Sequence, residues 1–227
     1  MNQAEEAYQG ELGRAYHEGK RALPVNAFPW VAKIRAVKFA PFIKPEDVVF
    51  EYGVGAGWNL AALPCKARIG CDISEFLAPA VEMHGVVFLT DSRKQPSSSC
   101  DVVLCHHALE HVPEPAAALQ EMRRILKPGG KLLMYVPYEI ERRYMEYDPH
   151  EPNRHLYSWN VQTLASLVRA AGFTIDVADV QRYGYDRAAA SFAAKMRLGE
   201  PGFRAARWAA QAMKPLWEVR VFGLREV

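Results

Sequence analysis

The residues with chemistry to offer stand where short apolar runs stop. Glu51 and the alternate glycines Gly53, Gly55 and Gly57 follow Val48-Val49-Phe50, and Asp72 follows Ala67-Arg68-Ile69-Gly70-Cys71. Asp91 follows Gly85-Val86-Val87-Phe88-Leu89-Thr90, and His106-His107 follow Val102-Val103-Leu104-Cys105. A carboxylate can accept two hydrogen bonds from a diol. A histidine titrates near neutrality and can take a proton. Glycines at alternate positions let the main chain adopt unusual φ/ψ and lie close against a ligand. The spacing departs from the dinucleotide fingerprint G-x-G-x-x-G, since Trp58 follows Gly57. No Walker lysine follows, and Glu51 would repel a pyrophosphate. The turn therefore suits a nucleoside with a cationic or zwitterionic tail. No nucleophile triad is present. His107-Ala108-Leu109-Glu110-His111 spells H-x-x-E-H, a zinc-peptidase signature. That chemistry needs a sustained helix and a further ligand, whereas Val112-Pro113 follows at once. No metal is expected.

These groups need a scaffold that gathers strand ends. Val48–Glu51 reads as a buried parallel strand, with the helix-like pattern Leu60-Ala61-Ala62-Leu63 after the glycines. Further strands are expected at Ala67–Cys71, Gly85–Leu89, Asp101–Cys105, Lys131–Val136 and Phe173–Val177. Ser74 is expected to cap a short helix through Ala80 and Val81. Ser92–Ser99 is expected to be loop, and a helix should contain Ala116 to Leu126, ended by Pro128-Gly129-Gly130. Asn160 should cap Val161–Ala171, with Gly172 closing it. Strands alternating with helices imply a parallel sheet covered on both faces, with the ligand at the carboxyl ends of the strands. Ahead of this core, residues 1–45 read as a helical cover. Its stronger helix runs from Trp30 to Phe39, with Val31, Ile34 and Val37 as the apolar face, and Pro41 ends it. The stretch 138–157 is long for a connection and reads as a lid. Residues 178–217 form an insertion of one or two basic, alanine-rich helices broken at Gly199-Glu200-Pro201-Gly202. The last strand, within 218–225, is expected to pair antiparallel at the sheet edge.

At 227 residues the chain suffices for one α/β domain, here 1–227 with its core at 46–180. Half of its residues are hydrophobic, so it is globular. Net charge is +2, which gives no case for nucleic acid. No apolar run is long enough to span a bilayer, and the acidic start Met1–Glu6 does not match a signal peptide. Cys65, Cys71, Cys100 and Cys105 form no CxxC pair, and reduced, inert thiols in a cytoplasmic protein are expected.

Taken together, Phe50-Glu51-Tyr52-Gly53-Val54-Gly55-Ala56-Gly57 resembles the first motif of the class I S-adenosylmethionine-dependent methyltransferases. Asp72 resembles that family's ribose-binding acid, and Ile73 would pack on the adenine. Thr90-Asp91-Ser92 resembles the element that contacts the adenine amino group. Ala108-Leu109-Glu110-His111-Val112 and Leu126-Lys127-Pro128-Gly129-Gly130 resemble motifs of the small-molecule subgroup typified by quinone methyltransferases (methyltransferase type 11). Arg154–Ser158 and Ala171-Gly172-Phe173 also resemble segments common there. Tyr52 and Val54 depart from the family's usual residues but leave the backbone requirement intact. The resemblance spans Val48 to Val177. It implies a Rossmann-like, doubly wound, mostly parallel seven-stranded sheet with an antiparallel C-terminal edge strand. It also implies S-adenosylmethionine as methyl donor, held by Glu51, Tyr52, Gly53, Val54, Gly55, Gly57, Asp72, Ile73, Asp91, Ser92 and His106.

Methyl transfer from a sulfonium is an in-line displacement with a neutral leaving group. Alignment and exclusion of water suffice unless the acceptor loses a proton. His106 and His107 are the candidate catalytic residues. Tyr16, His17, Tyr138, Glu139 and His155 are candidates for the acceptor, with Arg21 also within reach and His111 reading as an organiser of its turn. Trp30, Tyr138, Tyr144, Tyr147 and Trp159 could stack on it. Strand four lacks the [DNS]-P-P-aromatic sequence typical of adenine and glutamine amino-methyltransferases, which argues against that target class. A polar small molecule, such as a sugar or a metabolite hydroxyl, is the first expectation, and the basic C-terminal insertion leaves a lipid or protein acceptor open. The expected partners are that acceptor and, as an option, a second copy of the chain in a homodimer, with no nucleic acid and no membrane insertion. The alternative is a protein that binds the cofactor without catalysis, as a partner subunit or sensor.

Overall fold

β1 (Val48–Tyr52) forms because Val49 and Phe50 bury opposite faces of a pleat at the centre of the molecule. The computed structural model describes residues 8–20, 23–138, 145–148 and 153–226. β1 pairs in parallel with β2 (Ala67–Cys71) on one side and β4 (Cys100–His106) on the other. β3 (Val87–Leu89) extends the β2 side, and β5 (Leu126–Pro137) the β4 side. β6 (Phe173–Tyr183) and β7 (Leu216–Arg225) complete the order β3-β2-β1-β4-β5-β7-β6. The chain leaves β1 toward β3 and then returns to β4, so a crevice opens at the carboxyl ends of β1 and β4, the switch point where ligands bind.

Side chains alternate between two cores. Phe50, Val103 and Leu132 join Leu119, Met122 and Ile125 of α4 (Pro115–Ile125) and Leu164 and Val168 of α5 (Val161–Ala170). Val49, Val102, Leu104 and Leu133 face the other way, onto Phe39, Leu60, Leu63 and Val81. Complete burial of each such side chain contributes roughly 1.5–3 kcal/mol. A third cluster joins Ala27 and Val31 to Ala189, Ala190, Ala193 and Phe203. It ties α2 (Phe28–Phe39) to α6 (Asp186–Lys195) and α7 (Gly199–Met213). The N-terminal cover and the C-terminal insertion therefore form one layer. The remaining helices are α1 (Gly10–Lys20) and the short α3 (Ala78–Glu82). No helix among the described residues is long and apolar enough to cross a membrane.

Several expectations are corrected. Residues 60–63 form turns, not a helix: Leu60 N–H bonds Gly57 O and Leu63 N–H bonds Leu60 O. Gly57 and Pro64 leave too short a stretch for more, and Leu60 and Leu63 are buried from the turns. Ser74 stands at the start of its 3-10 turn, but its hydroxyl donates to Tyr8 O rather than capping. Asp91, by contrast, accepts from Arg93 N–H and starts a 3-10 turn, Ser92–Lys94, where loop was expected. Leu126 belongs to β5 rather than to α4, and β5 pairs with β4 both at Cys100↔Leu126 and from Val102↔Lys131 onward. Val37 is 61% exposed, because Val31, Ala32, Ala36 and Phe39 form the buried face of α2. The insertion breaks before Gly199, and Gly199–Gly202 is the first turn of α7. β7 is antiparallel as expected, but it lies between β5 and β6 rather than at the edge. That position buries Glu218, Val219, Val221 and Phe222. The Asn160 cap is a full capping box with Thr163.

Candidate functional site

Two cavities open at the carboxyl ends of the strands. The first, about 460 Å³, is lined by Tyr52, Asp72, Ile73, Thr90, Asp91 and Ser92. The second, about 500 Å³, is lined by Val54, Trp58, His106, Tyr138, His155, Tyr183 and Trp217, among others. Gly53, Gly55, Tyr16, His107 and His111 border both.

Backbone geometry makes the boundary. Gly53 has φ +75°, and a Cβ there would fall 2.3 Å from the Ala108 Cβ. Any side chain there would clash with Ala108, just past the end of β4. Asp72 fixes the loop from β2: its Oδ2 accepts from Gly55 N–H at 2.9 Å and its Oδ1 from Ser74 N–H at 3.0 Å. Each oxygen keeps a further lone pair for a ligand. Ile73 presents an apolar side chain, 37% exposed, to the first cavity. Asp91 faces it too, but is already ion-paired with Arg93 at 2.9 Å.

Glu51 and Gly57 line neither cavity. Glu51 is fully buried, accepts from the Asn59 amide, and its Oε2 has no hydrogen-bond partner. Burial pushes its carboxyl up to about 8. Gly57 serves the turn, with φ +76°. His17 borders the first cavity, whereas Tyr138 and His155 border the second. Arg21, Glu139 and Tyr144 lie outside the described residues. Trp30 stacks on Phe203, Trp159 on Tyr157, and Tyr147 is exposed; of the expected aromatic residues Tyr138 lines the second cavity, joined by Tyr16, Trp58, Tyr183, Tyr185 and Trp217.

Behind the histidines lies a buried polar network. The His106 and His107 rings stack at 4.3 Å. Glu218 on β7, fully buried, meets His107 Nε2 at 3.1 Å and Lys38 Nζ at 2.5 Å. Lys38 Nζ and Arg35 Nη1 each donate to His106 Nε2 at 2.9 Å. Burial would raise the Glu218 carboxyl, but Lys38 and the hydrogen bond from His107 outweigh it and hold it well below its usual range. Burial, with Lys38 beside it, holds His106 well below its ordinary value. Burial lowers His107 to about 4 against the opposing pull of Glu218, and lowers Lys38 to about 8. Both imidazoles are therefore neutral at neutral pH. An ionised carboxylate only accepts, so His107 Nε2 carries the hydrogen and Nδ1 the lone pair.

Among the described residues two groups bring three metal-ligating atoms within 4.8 Å: His106, His107 and Glu218, and Glu110, His111 and His155. The first already contains the Lys38 and Arg35 cations, which oppose a third. The H-x-x-E-H residues split between the two groups, because Leu109–His111 is a single 3-10 turn rather than a helix.

Sequence reasoning missed Glu218, Arg35, Lys38 and Asp186. One signal was available: Glu218 is an acid at the start of a strand whose following positions are mostly apolar. Since β7 runs antiparallel, its first residues lie at the carboxyl end of β5, with Glu218 opposite Pro137.

A sequence family described as a methyltransferase domain matches residues 29–177. The chain is 32% identical over 101 residues to the ubiquinone biosynthesis O-methyltransferase of Xanthomonas oryzae pv. oryzae, covering 38% of this chain and 41% of that protein. It is 32% identical over 122 residues to the tRNA (carboxymethyluridine(34)-5-O)-methyltransferase ALKBH8 of Macaca fascicularis, covering 51% of this chain and 18% of that protein. The chain thus spans less than half the length of either relative. The solved structure of magnesium protoporphyrin IX methyltransferase from Synechocystis, with bound S-adenosylhomocysteine, superposes at a TM-score of 0.63 with 14% identity, covering 98% of this chain and 97% of that one. At that identity the likeness speaks to the fold alone.

Proposed function

The chain belongs to the class I S-adenosylmethionine-dependent methyltransferases, and on that premise we propose that it methylates a hydroxyl group of a small polar molecule. The donor, when bound, supplies an activated methyl group on a sulfonium. The chain's own task is to hold the acceptor oxygen in line, roughly 3 Å from that carbon, and to exclude water. The observation that carries this reading is the meeting of two cavities at Gly53, Gly55 and His107, with Asp72 in one and the imidazoles in the other.

The residues fit the donor. Gly53 and Gly55 line both cavities, so a ligand there would lie against bare main chain. Asp72 retains acceptor capacity on both oxygens for the ribose hydroxyls. Ile73 would underlie the adenine, with Asp91 and Ser92 at its edge. Tyr52, Gly53, Val54 and Gly55 would border the methionine arm, while Glu51, buried behind the loop, would hold its shape through Asn59. On the acceptor side, His107 Nδ1 would accept the hydroxyl hydrogen and aim the oxygen, while Glu218 stabilises charge that reaches the imidazole. A group with pKa of about 4 is a weak base toward the free hydroxyl, so His107 orients it first and takes the proton only as the new C–O bond makes the oxygen positive and strongly acidic. Tyr16, Tyr138 and His155 would border the acceptor. The name of the ubiquinone-pathway relative supports an oxygen acceptor.

The test is incubation with S-adenosylmethionine and fractionated metabolite pools, read by mass spectrometry. The expected result is a product heavier by one methyl group, formed together with S-adenosylhomocysteine. Tight cofactor binding without product from any pool would overturn the enzyme reading in favour of a silent binder.

A further inference from the structure

A third cavity, about 360 Å³, lies between α2 and the β6–β7 pair and shares Arg35, Tyr183, Gly184 and Asp186 with the second. Five cationic side chains line it: Arg35, Lys38, Arg182, Arg207 and Arg220. Their carboxylates are fewer. Asp186 serves two guanidiniums, Arg35 at 2.7 Å and Arg207 at 2.6 Å. Glu218 pairs with Lys38 at 2.5 Å, and Asp179 with Arg220 at 2.6 Å. Arg182 lies 5.3 Å over the Trp217 ring. Five cations against three carboxylates leave an excess of two positive charges around one concavity. Guanidinium forks with donors to spare are suited to bidentate contact with a carboxylate or phosphate.

The rim is apolar, with Ile34, Phe42 and Val37, the last 61% exposed. Tyr183 lines both this cavity and the reaction cavity, its ring 4.7 Å from that of His107. We propose that this basic cavity is a subsite for an anionic group, carboxylate or phosphate, carried by the methyl acceptor. The acceptor is then a hydroxylated organic acid or phosphate ester. Its anion lies among Arg182, Arg207 and Arg35, and its body passes along Tyr183 to present the hydroxyl at His107. The inference rests on the reading of His107 as the acceptor end of the site.

The experiment is a calorimetric titration of inorganic phosphate into the full chain, with and without S-adenosylhomocysteine. One saturable site is expected, weakened by about tenfold in both Arg182→Gln and Arg207→Gln, with S-adenosylhomocysteine affinity unchanged. Arg182→Gln keeps the test decisive if loss of the Asp186 contact unfolds the other variant. No saturable phosphate binding, or equal binding in the variants, would overturn the proposal. A second arm separates an acceptor group from a free anion. Products methylated from the metabolite pools should be retained on an anion exchanger, and neutral or cationic products would overturn the link to the acceptor. Failure of S-adenosylhomocysteine to bind would refute the donor site alone and leave the phosphate isotherm to decide the subsite.

Discussion

The side of this site proposed for the donor and the side proposed for the acceptor are built in opposite ways. On the donor side the contacts of Asp72 are local and made to the main chain: it reaches Gly55 across 17 positions and Ser74 across two. On the acceptor side they join distant side chains. Lys38 meets Glu218 across 180 positions, and His107 meets Glu218 across 111. A glycine turn with an acid at the next strand end is a short-range device, stable wherever the same sheet forms. The charged network exists only because α2, α6, α7 and β7 pack together beside β4.

That contrast can be broken first at Glu218. Glu218→Gln leaves Lys38 buried without its carboxylate, and removing one partner of a buried pair costs about 3–5 kcal/mol. Chemical denaturation should report that loss, while calorimetry should find S-adenosylhomocysteine affinity near wild type. Equal damage to cofactor affinity would mean that the two regions are one cooperative unit.

Gly53→Val is the converse test. The added side chain meets Ala108 and must adopt φ +75°. Cofactor affinity should fall by about 100-fold, equivalent to roughly 2.7 kcal/mol. Calorimetry that finds near-normal affinity would remove the glycine cradle from the account.

A smaller effect is expected at Glu51. Its carboxyl holds a proton up to about 8 in the folded chain, against 4.5 ordinarily. Between those values the folded state binds more protons than the unfolded one, so stability falls as pH rises through that window. Glu51→Gln keeps an acceptor for the Asn59 amide and removes the titration. Thermal melts from pH 5 to 8.5 should show a flatter profile, with the variant on the order of 5 °C more stable at the upper end. An unchanged pH slope would place the Glu51 titration elsewhere.

The same contrast explains what could be read from the residues alone. The five parallel strands were legible because β-branched and apolar runs end at polar residues, and that pattern carried Asp72, Asp91 and His106 with it. The Leu60–Leu63 turns were not, since apolar spacing cannot reveal that Gly57 and Pro64 leave no room for a helix. Val37 misled because alanines, which carry little hydrophobic signal, form the buried face of α2. Glu218 was hidden for a topological reason. Only the insertion of an antiparallel β7 beside β5 brings its first residues to the reactive edge, and nothing local encodes that pairing.

The account stands on the donor lying against Asp72. Calorimetric titration of S-adenosylhomocysteine into wild type and Asp72→Ala tests this most directly. One site per chain is predicted for wild type, with affinity reduced by about 100-fold or more in the variant, which loses two charge-assisted hydrogen bonds to the ligand. Equal affinity in the two proteins, or no binding to wild type, would contradict it.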